Sequence, residues 1–269
     1  GKRYGKEGLM YKMIRVYQCE DTVDGILSAI YDAGISGYGH EYIRIEPQSP
    51  GYTTNRTLFS EYITVQTDSG KKDSVIKAVR SKISWKAYAF MMNALASDFS
   101  DRGDVVYRFV AYGFTMGKQV CEALQLPCVK RIFAINRAVQ NEAHYFNEFL
   151  RFQEVAQEPS LLLGVIEPRH HVIPNLMQHF GERFISEWFI IYDKTHQEAA
   201  FHQADGSWEL RLLTGQEAKK LEELTEKQEE YADLWKTFFD HIAIVERKNQ
   251  KLQTNMLPLH YRKYMTEFH

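Results

Sequence analysis

The hydrophobic period of this chain changes at Leu150, and that change constrains the fold more than any other feature. Before it, apolar residues recur at helical spacing. Ile135, Val139, Phe146 and Phe149 share one face, while Arg137, Asn141, His144 and Glu148 line the opposite face at offsets of four, seven and eleven. After it the pattern is that of strands. Residues 149–155 and 161–166 read as a hairpin around 157–160, and 173–184 read as a helix with Pro174 in its first turn. Residues 188–192, 198–202 and 208–212 follow as a meander, with Asp205-Gly206 at a tight turn. This β-β-α-β-β-β order predicts an antiparallel sheet carrying a helix on one face.

The opening of the chain has a different order, β-α-β-β. A strand at 13–18 leads to a helix at 21–33, capped by Thr22 or Asp21, with Val23, Ile26, Leu27 and Ile30 on one face. Strands at 42–45 and 61–66 flank a Pro/Gly/Asn-rich loop. The segment has no glycine-rich phosphate motif. From Lys71 to Arg151 helical patterns dominate and predict a bundle, in which Gly113 and Gly117 allow close helix packing. Residues 217–248 predict a long C-terminal helix striped by Tyr231, Leu234, Trp235, Phe238, Ile242 and Val245. The expectation is an α+β fold: an N-terminal α/β segment over 1–70, then a helical and antiparallel-sheet region over 71–269, packed as one body.

No stretch approaches the apolar length of a membrane span, and the polar start of the chain lacks a signal-peptide core. A cytoplasmic address with no membrane partner is expected. Cys19, Cys121 and Cys128 form no CxxC pair and read as reduced structural thiols, not as a disulfide or thiolate-metal framework. The net charge is −2, yet residues 71–151 hold 13 Lys or Arg against 7 acids, and from Arg247 onward basics lead 5 to 1. Segregation of this kind can build a local positive field on a near-neutral protein.

Three landmarks resemble the DUF4130 family, a bacterial group of probable DNA-metabolism proteins. They are YGFTMGKQV (112–120) with RAVQNEAHYFNEFLRFQE (137–154), GVIEPRHHVIPNLMQHFGERF with WFIIYD (164–193), and the closing stretch 231–268. The chain departs from the family pattern at four places. Tyr145 stands where a basic residue is usual, Arg169 replaces an acid, His171 replaces an amide, and His196 stands where an arginine is common. The resemblance implies work in DNA metabolism or repair beside a radical-SAM protein. The chain lacks CxxxCxxC and so is not that protein itself.

The first functional expectation is therefore an accessory nucleic-acid-binding protein that needs no cofactor. Arg137, Arg151, Arg169, Arg183, Arg247, Lys248, Lys251 and Arg262 offer phosphate partners, and Tyr145, Phe152, Trp188, Tyr261 and Tyr264 offer stacking faces. The second is an acid–base or metal-dependent enzyme acting on damaged DNA or nucleotides. Glu167 with His144 or His170 would form its catalytic pair, and His144, His170, His171 and His179 with Glu167 or Asp193 would be its nearest approach to a metal set. No zinc-ligand spacing accompanies these histidines, so no metal is assigned from sequence. A third expectation is a structural interaction module whose polar motifs hold the helix–hairpin corner together.

Overall fold

The computed structural model describes residues 13–49, 57–157 and 160–226. The chain forms two compact units, one of residues 1–95 and 99–134, the other of 96–98 and 135–269.

The first unit is built on β1 (Ile14–Glu20), β2 (Ile43–Gln48) and β3 (Ser60–Thr64), in the order β2-β1-β3 with both pairings parallel. Parallel neighbours require a crossover, and α1 (Val23–Ile35) supplies the one from β1 to β2. Thr22 is the cap, accepting the Gly25 N–H at 3.0 Å, whereas Asp21 is engaged in an ion pair with Arg102. Four further helical stretches follow: α2 (Ser69–Ala78), a π turn (Val79–Ile83), α3 (Trp85–Leu95) and α4 (Arg102–Met116). A Cβ on Gly113 would fall 2.5 Å from Ile83 Cδ1, so this glycine does allow α4 to approach the π turn closely. Gly117 has φ 60° and ψ −144° and ends α4. All three cysteines are free and buried, and burial pushes the Cys19 thiol up to about 12.

Part of the cation excess of the middle segment is paired with acids in this unit. Lys71 pairs with Asp32, Lys72 with Asp24, Arg108 with Asp104 and Arg131 with Asp101, while Arg80 lies over the Trp85 ring. Residue counts alone therefore overstate the unpaired positive charge there.

The helix α5 (Pro127–Phe149) begins in the first unit and ends in the second. There β4 (Phe152–Gln157), β5 (Ser160–Ile166), β6 (Trp188–Asp193), β7 (Glu198–His202) and β8 (Trp208–Leu212) form one sheet in sequence order. Two expectations are corrected. The sheet is mixed, not antiparallel: β5 and β6 run parallel, with Ile166 opposite Asp193, because α6 (Ile173–Arg183) carries the chain back before β6 starts. Both faces of the sheet are covered, not one. Phe189, Ile191 and Ala200 pack with Val139 and Ala143 of α5 and with Leu176, Met177 and Phe180 of α6. Ile190, Tyr192 and Phe201 pack on the other side against Ala218 and Leu221 of α7 (Gly215–Glu226). Alternation along β6 thus feeds two cores, which is why that strand reads as almost continuously apolar. Residues after Glu226 lie outside the described region, including the rest of the long helix expected over 217–248.

Candidate functional site: a histidine–carboxylate corner and the exposed end of α5

The parallel pairing sets the C-terminal ends of β5 and β6 side by side. The chain leaving β5 carries Glu167, Arg169, His170 and His171, and the chain leaving β6 carries Lys194 and His196. β7 then begins with Glu198 opposite Asp193. Local topology alone therefore gathers these polar side chains at one edge.

The loop after β5 is fixed by neighbours from within its own unit. The two Glu142 carboxylate oxygens accept the backbone N–H groups of Arg169 at 2.7 Å and His170 at 2.9 Å. The Ala96 carbonyl accepts the His171 N–H at 2.9 Å. Arg169 Nε donates to both Asp98 oxygens, at 2.9 and 3.0 Å. His170 is buried, with Nδ1 3.3 Å from the Asp98 backbone N–H and 3.2 Å from that residue's carboxylate. Burial drives its pKa below the ordinary histidine value despite the nearby charges of Glu142 and Asp98, so the ring is neutral and accepts from the amide.

His171 turns the other way. Its Nδ1 lies 3.1 Å from Glu198 Oε1, and its ring stacks on His196 with centroids 3.7 Å apart. His196 is held in turn by Asp193, whose Oδ2 lies 2.6 Å from the ring Nδ1 and whose Oδ1 accepts the His196 backbone N–H at 3.0 Å. Burial opposes charge on His196, but the hydrogen bond and charge of Asp193, aided by Glu198 and the Arg169 carbonyl, outweigh it and raise the pKa. Asp193 is 0% exposed and Glu198 5%. One donor atom from each of His171, His196 and Glu198 falls within 4.8 Å of the others. Such a group can exchange a proton near neutral pH or hold a cation.

The second feature is the C-terminal end of α5. Tyr145 and Phe149 are 56% and 55% exposed, and their rings lie 4.9 Å apart. They occupy a strip roughly a quarter turn from the exposed Arg137–Asn141–His144 face. Exposed Arg151 follows immediately, and neither it nor Arg137 makes an ion pair among the described residues.

The candidates read from sequence separate between these places. Glu167, His144 and His170 each take a different partner, namely Lys194 at 3.4 Å, Glu148 at 3.0 Å and Asp98. Arg169 is committed to Asp98, and Arg183 lies over Phe184 at 5.6 Å. Of the proposed stacking rings, Phe152 contacts Phe180, Phe184 and Phe189, and Trp188 packs against the sheet core, so both are used in packing. His179 is exposed, with its ring edge-on to Phe180. Arg247, Lys248, Lys251, Tyr261, Arg262 and Tyr264 lie outside the described residues. Sequence reasoning singled out His171 and His196 but missed Glu198 as their companion. The signal available was its position at the start of a strand, a short turn after Asp193.

The family described as a domain of unknown function, DUF4130, matches residues 100–267, more than half of the chain. The chain belongs to the DUF4130 family. The DUF4130 match takes in α4 through α7, and so contains both the corner and the exposed end of α5. No curated protein matches the chain. Among the described residues no helix is long and apolar enough to cross a membrane.

Proposed function

We propose that this DUF4130 protein is an accessory nucleic-acid-binding protein of DNA metabolism or repair, acting beside a radical-SAM protein. The observation that carries the reading is the end of α5, where two touching aromatic rings stand in solvent next to Arg151, with Arg137 about two turns back along the helix. Neither arginine has an acidic partner among the described residues. Exposed rings of this kind stack on unpaired bases, and free guanidinium groups hold the adjoining phosphates. Arg137 and Arg151 are the phosphate contacts; Tyr145 and Phe149, with His144 beside them, meet an unstacked base. The committed pair Arg169–Asp98 is assigned to holding the loop. The radical-SAM partner is supported by the family resemblance.

The test is fluorescence anisotropy with a labelled single-stranded oligonucleotide and the full chain. Tyr145→Ala and Phe149→Ala each remove a stacking face, worth about 1–3 kcal/mol per base, and should weaken binding at least several-fold. Both side chains are half-exposed, so their loss should leave the fold intact. Unchanged affinity in both variants would defeat the assignment of this surface. Co-purification with the radical-SAM protein, lost in the same variants, would tie the surface to the partner instead of to DNA.

A further inference from the structure

We infer that His171, His196 and Glu198 form a binding site for a divalent first-row transition-metal ion, with Asp193 orienting His196 from behind. The inference is independent of the nucleic-acid reading, because it uses none of the residues assigned to that surface.

The donor set comes first. Two imidazoles and one carboxylate suit zinc, iron(II) and related ions, and three protein ligands leave coordination positions for solvent. His171 Nδ1 and Glu198 Oε1 are already 3.1 Å apart. Two donors on one tetrahedral ion with bonds near 2.0 Å are separated by about 3.3 Å, so this pair needs almost no adjustment. The third donor lies within the 4.8 Å span.

The support behind the ligands is also in place. His196 gives Nδ1 to the buried Asp193 carboxylate, so Nε2 would be the ligating atom, exchanging the ring's hydrogen bond to the Arg169 carbonyl for the metal. A carboxylate behind a ligating histidine fixes the ring's orientation and raises its basicity. Asp193 itself is held by the backbone of the same turn.

Charge supplies the second, independent observation. Asp193 and Glu198 are opposed in register and both buried, yet neither pairs with a lysine or arginine among the described residues. Buried carboxylates require compensation. Each faces an imidazole instead, Asp193 that of His196 and Glu198 that of His171, and a divalent ion between the two rings and Glu198 would take over the compensation that imidazole protons otherwise supply. Half-exposed His171 forms the outer wall, so the ion is reachable by solvent and by a small ligand with an oxygen or nitrogen donor.

The experiment uses the full chain stripped with a chelator and titrated by calorimetry with Zn2+, and separately with Co2+ to read coordination from its visible absorption. The expected result is one equivalent per chain, with a Co2+ spectrum of four- or five-coordinate intensity. His171→Asn and Glu198→Gln should each weaken binding more than ten-fold, and Asp193→Asn should weaken it about 10–100-fold. His144→Ala and His179→Ala should bind as the parent does. Because Glu198 and Asp193 are buried, His171→Asn decides the matter should the other two variants misfold. Absence of stoichiometric binding, or binding that survives His171→Asn, would overturn the assignment.

Discussion

At the scale of single residues, two anchors of the loop after β5 differ in what they contribute. Glu142 satisfies two backbone N–H groups, so Glu142→Ala leaves both without their acceptor and should cost about 1–3 kcal/mol in urea denaturation. The Arg169–Asp98 pair has its guanidinium largely in solvent, and Arg169→Ala should cost under about 1 kcal/mol. Equal losses would mean that the loop is not held through its backbone. His202 gives a pH dependence of definite sign. It is buried, stacked on Phe189, with Nδ1 3.0 Å from the Glu187 carbonyl, and burial lowers its pKa from the usual 6.5 despite that hydrogen bond. The folded state therefore binds this proton less readily than the unfolded chain. The contribution of His202 is complete above pH about 6.5 and is lost as pH falls below that value toward the lowered folded pKa. In His202→Gln the stability difference between pH 7.5 and pH 5 should shrink; an unchanged difference would contradict this assignment.

At the scale of elements, glycines mark where helices stop and where they approach. Gly117 adopts a conformation that side chains rarely tolerate, so Gly117→Ala should cost about 1–3 kcal/mol. Gly113→Ala would set a Cβ 2.5 Å from Ile83 Cδ1 and 3.2 and 3.3 Å from its Cγ atoms, so buried Ile83 must shift and thermal melts should show a loss. Both helix and strand existence were legible in sequence. Pro174 marked the first turn of α6, Thr22 the start of α1, and Asp205-Gly206 the β7–β8 turn, because caps and turns are written in local residues. Strand direction was not legible from period alone. An alternating or apolar run looks the same in parallel and antiparallel pairs, and the available hint was a helix-length crossover between β5 and β6. The same gap hid the corner. Glu198 and His171 are far apart in sequence, and only the parallel register of Ile166 with Asp193, followed by the β6–β7 turn, brings them together. Charge counting overstated the unpaired charge for a related reason: partners such as Asp32 for Lys71 lie too far along the chain to be seen in a window.

At the scale of the whole molecule, the family match encloses two distinct chemistries, a partly buried imidazole–carboxylate corner and an exposed aromatic–arginine helix end. The central claim is that the second of these receives a polyanion. The most direct measurement is the salt dependence of binding to a single-stranded oligonucleotide, compared between the parent and an Arg137→Ala/Arg151→Ala double variant. Each phosphate contact on a single strand contributes a slope of about −0.7 in log K against log salt. The account predicts measurable binding by the parent and a slope shallower by about 1.4 in the double variant, the sum of two lost contacts. Identical slopes, or no binding by the parent at low salt, would contradict it.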